Sequence, residues 1–261
     1  MHRIFIRFVV LFLAQDTFLY YNETMDRMYE YMENYIQERF LVEKTLRQTP
    51  ESVIQRLCHQ DSRKHYILRR FQGDSSAVRS LIGVKCTHLP RIYEVAQDAD
   101  QVMVLEEYIP GDTLSFLCQG MTLESEEVRR IVLDICDALY ILHSRKLVHR
   151  DVKPENVIVC GDRSVLIDFN TIRRASPQKE GFRDTRILGT LGYAPPEQYG
   201  LSQTDSTADI YALGVLINVL LTGKHPSLQL VGGHWGRIVT RCTMTSPGKR
   251  YQTVQAIRES L

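Results

Sequence analysis

Val148-His149-Arg150-Asp151-Val152-Lys153-Pro154-Glu155-Asn156-Val157-Ile158-Val159 decides how the rest of this chain is read. An acid, a base and an amide fall between Asp151 and Asn156, directly ahead of an apolar run. A second apolar run, Leu166-Ile167, ends in the carboxylate of Asp168 and continues as Phe169-Asn170. A turn at Gly161-Asp162-Arg163 lets the two runs pair as short strands, which carries Asp151, Asn156 and Asp168 to one end of a hairpin. Two carboxylates and an amide converging there suit Mg²⁺, a hard cation that takes oxygen ligands and commonly shares them with phosphates.

His149-Arg150-Asp151-x-Lys153-x-x-Asn156, followed by Asp168-Phe169-Asn170, resembles the catalytic and metal-binding loops of eukaryotic-like (Hanks-type) protein kinases, bacterial members included. Lys153, two after the aspartate, is the serine/threonine version. The resemblance covers about residues 45–261 and is strongest from 104 onward. It implies an α+β, bilobal fold: a small antiparallel-sheet lobe with one helix over 41–109, and a mainly helical large lobe over 110–261. Residues 1–40 would stand outside it as a tail and a short helix.

Composition agrees with one large domain or two small lobes: 261 residues suffice for a sizeable core. Lys and Arg number 32 against 31 Asp and Glu, so charge argues for no nucleic-acid or polyanion surface. Six cysteines (58, 86, 118, 136, 160 and 242) form no C-x-x-C pair, the pattern of free thiols in a reducing cytoplasm. At the amino terminus, Phe8 to Ala14 is a hydrophobic run short of the roughly 20 residues that span a bilayer. It reads as a tail, with Met25 a candidate initiator; a signal peptide and an interfacial helix, hence membrane association through residues 1–14, are the alternatives.

Further along, 25–40 has helical spacing of Met25, Met28, Met32, Tyr35, Ile36 and Phe40, and predicts an amphipathic docking helix. Strands are predicted at 52–58, 65–71, 91–95 and 101–108, with a helix over 75–85. Ile109 to Leu114 resembles the hinge between kinase lobes. A helix with Val128, Ile131, Val132, Ile135, Leu139 and Leu142 on one face follows, acidic in its first turn where the dipole favours it. The stretch 208–221 is apolar nearly all round and predicts a buried central helix. A last helix is predicted over 253–261.

By resemblance, Asp151 would orient the substrate hydroxyl and accept its proton. Lys153 would lie against the transferring phosphate, and Asn156 and Asp168 would hold Mg²⁺. Thr190, in Gly189-Thr190-Leu191-Gly192-Tyr193-Ala194-Pro195-Pro196-Glu197, would favour serine and threonine substrates. Glu197 would pair with Arg250, and Asp209 would brace the loop carrying His149. Arg150 could meet a phosphate on the activation segment, for which Thr185 is the candidate. Asn170 stands where glycine is usual, and asparagine tolerates a positive φ there.

The small lobe departs from the pattern. Thr45 to Ile54, where a glycine-rich loop would cover ATP phosphates, contains no glycine. The phosphate-anchoring lysine falls on Arg69, and its helix glutamate near Arg79, of the wrong sign. Glu107 matches the usual hinge acid, which puts Glu106 at the back of the nucleotide pocket. A buried carboxylate needs a partner, so the expectation is that Glu106 pairs with Arg69. These readings give an ATP- and Mg²⁺-dependent serine/threonine protein kinase with Arg69, Glu106, Glu107 and Lys153 at the nucleotide. The alternative is a pseudokinase that binds partners without catalysis.

Overall fold

A computed structural model of the chain describes residues 17–119, 121–175, 192–196 and 205–261, with side chains in the first helix from Met28 onward. Helix α1 (Thr17–Arg39) runs straight into β1 (Phe40–Thr49), followed by β2 (Ser52–His59) and β3 (His65–Gln72). A single helical turn, α2 (Ser76–Arg79), then leads to β4 (Ile92–Asp98) and β5 (Gln101–Glu107). The five strands form one sheet in the order β1-β2-β3-β5-β4, every neighbouring pair antiparallel.

Alternation along the strands gives the sheet two faces. Phe71, Val95, Val102 and Val104 join α2 and the large-lobe core on the inner face. Leu57, Leu68, Met103 and Leu105 lie on the outer face, beneath Met32 and Ile36 of α1. Burial on both faces explains why 102–105 reads as an unbroken apolar run rather than an alternating one. The docking helix expected over 25–40 is therefore longer, and its last residue belongs to β1: Phe40 pairs with His59.

Two other expectations in this lobe need correction. The helix expected over 75–85 is four residues long. Beyond Arg79 the backbone turns with bonds from Ile82 N to Arg79 O and Val84 N to Leu81 O, and Ile82 bridges to Ile92 instead of continuing the helix. Gly83, at a φ of 78°, completes the exit. The strand β1 escaped notice because nearly all of it is exposed, so it carries no apolar alternation.

After β5 come β6 (Asp112–Thr113), α3 (Leu114–Leu117) and the long α4 (Ser125–His143). Val128, Ile131, Val132, Ile135, Leu139 and Leu142 of α4 are all buried, as their spacing predicts. β7 (Leu147–Val148) precedes the stretch quoted first, and β8 (Val157–Cys160) and β9 (Arg163–Leu166) form the expected hairpin, with Cys160 opposite Arg163. Gly161 sits in its turn at a φ of 63°, where a side chain would be strained. β10 (Arg173–Arg174) pairs with β7.

Helix α5 (Ser206–Thr222) is buried all round, and Asp205 caps it by accepting from Thr207 N (2.8 Å). It packs on α6 (Gly233–Cys242), which sequence reading missed because its first turn is glycine-rich. The final helix α7 (Val254–Arg258) is shorter than expected. Among the described residues no helix is long and apolar enough to cross a membrane. The six cysteines are free.

Candidate active site

The β8–β9 hairpin is the platform of the site. Ile167 N donates to Asn156 O (2.8 Å), so the last residue before β8 and the residue before Asp168 are tied together. Asn156 closes a short 3₁₀ turn begun by Pro154, and its Nδ2 donates to Asp151 O (2.8 Å) and Asp151 Oδ2 (2.7 Å). Lys153 Nζ lies 2.8 Å from the same Oδ2. Two donors on one oxygen fix the plane of the Asp151 carboxylate. With its amide nitrogen so engaged, Asn156 offers Oδ1 as its acceptor.

Asp209, at the start of α5, holds this loop from below. Its Oδ2 accepts from His149 N (2.9 Å) and its Oδ1 from Arg150 N (2.7 Å). His143, the last residue of α4, adds a third contact from Nε2 to Oδ2 (2.9 Å). Burial alone would raise the Asp209 carboxyl, but the His143 bond and the neighbouring histidines and amides outweigh it and hold it below its ordinary value. These contacts keep Arg150 at a φ of 72°, a conformation costly for a side-chain-bearing residue. The His149 ring bonds Ile167 O through Nε2 (3.1 Å) and meets Phe169 edge-on at 5.9 Å. Phe169 is buried, so the Asp168 loop is seated inward on the platform.

Asp168 meets the small lobe through arginine. Arg69 Nη1 donates to its Oδ1 (2.8 Å), while Arg69 Nη2 donates to Glu106 Oε1 (2.9 Å). All three side chains are at most 10 % exposed. Burial disfavours the Arg69 charge, and the two carboxylates more than restore it, leaving its pKa raised. For Asp168, burial pushes the carboxyl up, but Arg69 and the Asn170 backbone N–H win and hold it below the usual carboxylate range. In register, Ile67 lies opposite Glu106 and Arg69 opposite Val104, which places both charges on the inner face of the sheet.

Other expected residues fall elsewhere. The Glu107 carboxylate accepts from Arg91 N (3.1 Å) and is turned to the start of β4, and Glu107 N donates to Arg91 O (2.9 Å). Arg250 is buried, with Nε on Met244 O (2.7 Å), Nη1 on Thr207 O (3.1 Å) and its guanidinium over the Tyr211 ring. Thr185, Thr190 and Glu197 lie outside the described residues. The positive φ expected at Asn170 belongs instead to Asp168, at 73°. Its carboxylate accepts from Asn170 N (3.2 Å), closing the tight turn locally, an arrangement aspartate favours in this region of φ. Sequence reading passed over His143, an ordinary helix-end residue, and Arg47, whose Nη1 lies 3.8 Å from Asp168 Oδ2.

A lysine-fixed aspartate, an amide and an inward-seated second aspartate on one hairpin form the arrangement of the protein kinase domain, whose family pattern matches residues 75–246. The chain belongs to the protein kinase family. It is 33 % identical over 180 residues to the serine/threonine-protein kinase PknA of Nostoc, covering 66 % of this chain and 32 % of that protein. It is 29 % identical over 171 residues to serine/threonine-protein kinase A of Synechocystis, covering 60 % of this chain and 32 % of the relative. Against the probable serine/threonine-protein kinase PknB of Lactococcus lactis the identity is 29 % over 160 residues, covering 61 % and 25 %. This chain thus spans a third or less of the length of these three relatives. The family match begins after β3, so Arg69 and the β1–β2 hairpin of this kinase domain lie before it.

Proposed function

We propose that this kinase domain transfers the γ-phosphoryl group of ATP to serine or threonine hydroxyls of a protein substrate. The observation that carries the reading is the convergence of Lys153 and Asn156 on one oxygen of Asp151, beside an Asp168 loop locked inward by Phe169. Asp151, its plane fixed by these two donors, orients the hydroxyl and accepts its proton. Lys153, 14 % exposed at the cleft, is placed to offset charge on the transferred group. Asn156 Oδ1 and the Asp168 carboxylate are the oxygen donors for Mg²⁺, a set whose chemistry fits that ion. When bound, Mg²⁺ would neutralise phosphate charge. Phosphoryl transfer asks a protein mainly for positioning and charge stabilisation, which this cluster supplies.

Thr190 and Glu197, on the activation segment, are assigned the substrate-hydroxyl and Arg250-pairing roles by the resemblance. Thr185 is the candidate phosphorylation site there, and the resemblance assigns Arg150 as the residue that would pair with its phosphate.

One observation favours a second reading, a pseudokinase that binds partners through the same scaffold. Arg69 holds one oxygen of Asp168 and Arg47 approaches the other, so a metal must compete with arginine for its ligand. Purified protein incubated with radiolabelled ATP and Mg²⁺ separates the readings. Label on the protein or on a generic basic substrate, lost in Asp168→Ala and cut by about 10²–10⁴-fold in Asp151→Asn, is the expected result. No label, together with no thermal shift on adding Mg·ATP, would leave the scaffold reading standing.

A further inference from the structure

The β1–β2 hairpin has no glycine to bring its backbone close to a phosphate. Only Pro50 and Glu51 separate the two strands, and proline has no N–H to give. Thr49 and Ser52 close the turn on each other, Ser52 N donating to Thr49 Oγ1 (3.1 Å). The tip nevertheless reaches the metal-binding loop, where Asn170 Nδ2 donates to Ser52 Oγ (3.4 Å). The hairpin tip therefore stands beside the Asp168 loop without the glycines that would let its backbone close on a phosphate.

A side chain stands in their place. A β-bulge between Thr45 and Arg47 shifts the register of β1, and bulges re-aim side chains. After the shift Arg47 lies opposite Ile54, which lies opposite Arg69. Arg47, Ile54 and Arg69 thus form one row across three strands, on the face that bears Arg69 and Glu106. At the end of that row Arg69 Nη1 takes Asp168 Oδ1 at 2.8 Å, and Arg47 Nη1 stands 3.8 Å from Oδ2. Arg69 is buried and held by two carboxylates, whereas Arg47 is 57 % exposed and beyond hydrogen-bond distance of Asp168. Its contact with Asp168 is a long-range attraction rather than a hydrogen bond, so a stronger anion could draw it away.

We propose that Arg47 is a triphosphate-binding residue of this domain, its guanidinium supplying from β1 a phosphate contact in a hairpin that has no glycine to bring its backbone close. The proposal rests on the nucleotide site argued above. Guanidinium is planar and forked and binds phosphate oxygens in pairs, which a single ammonium cannot do.

Isothermal titration of the whole chain with Mg·ATP, Mg·ADP and adenosine, for wild type, Arg47→Ala and Arg47→Lys, tests this. Arg47→Ala should weaken Mg·ATP binding by about tenfold or more, leave adenosine binding unchanged, and leave the ligand-free melting temperature within a degree or so of wild type, since the residue is half exposed. Arg47→Lys should recover part of the loss. If Arg47→Ala binds Mg·ATP as tightly as wild type, or more tightly because Asp168 is released, the proposal fails while the nucleotide site stands. If wild type itself binds no Mg·ATP, the nucleotide site fails and Arg47 loses its role with it.

Discussion

At the residue scale, the informative feature is an ion triad in which β5 supplies the acid that pairs with the cation of β3. Glu106 does this because the only helix between β3 and β4 is a single turn ending in Arg79, which brings no acid. Strand pairing holds the two partners: Ile67, two before Arg69, lies directly opposite Glu106. Buried ion pairs return little net stability, but removing one member strands the other. Glu106→Leu should therefore lower unfolding free energy by about 3 kcal/mol or more in a denaturant titration. The double variant Arg69→Met with Glu106→Leu should recover much of that loss, because neither charge is then buried alone. A double variant no more stable than Glu106→Leu would remove this pairing argument.

At the scale of elements, the active loop is fastened to α5 by one carboxylate. Asp209 accepts from two backbone amides and from His143, joining α4, α5 and the loop at one point. Its folded pKa lies below the ordinary value, and so does that of Asp168. The sign follows: their contribution is fully present above the unfolded carboxyl pKa and is lost as pH falls through the lowered folded values. The melting temperature of the wild type should thus drop as pH is taken from about 5 toward 3, near the ordinary aspartate range. Asp209→Asn should melt lower at neutral pH and show a shallower acid slope; an unchanged slope would remove Asp209 from this linkage.

The α5–α6 contact makes a second claim on packing. Gly214 has no room for a side chain, because a Cβ there would collide with Cys242 Cβ of α6. Gly214→Ala should cost about 1–3 kcal/mol through overpacking, despite alanine's better helix propensity. A stability equal to or above wild type would mean that α6 can retreat without loss.

For the whole molecule, α1 converts a two-faced sheet into a covered one. Met32 and Ile36 are buried against Leu68, Met103 and Leu105, on the face away from the site. Deleting such side chains costs transfer free energy and leaves a cavity, so Met32→Ala or Ile36→Ala should each destabilise by about 2–4 kcal/mol. The effect should appear as a lowered melting temperature and increased binding of a hydrophobic dye. Mg·ATP affinity in the surviving folded fraction should hold, because these side chains and the ion triad lie on opposite faces of the sheet.

The large-lobe half of this architecture was legible from local pattern. Turn residues at Gly161, helical periodicity in α4 and a fully apolar α5 are all short-range signals, and fixed spacing was enough to gather Asp151, Lys153 and Asn156. Those three are only five positions apart from first to last, so the loop's own covalent geometry brings them together. The small lobe was settled by contacts between distant segments. The expected 75–85 helix gave way to a parallel bridge between Ile82 and Ile92, and β1 exists through pairing with β2 rather than through any apolar alternation. The fate of Arg69 was half visible, since a buried Glu106 required a cation. That Asp168 would share the same guanidinium, 99 positions along the chain, follows only from how the two lobes close on each other.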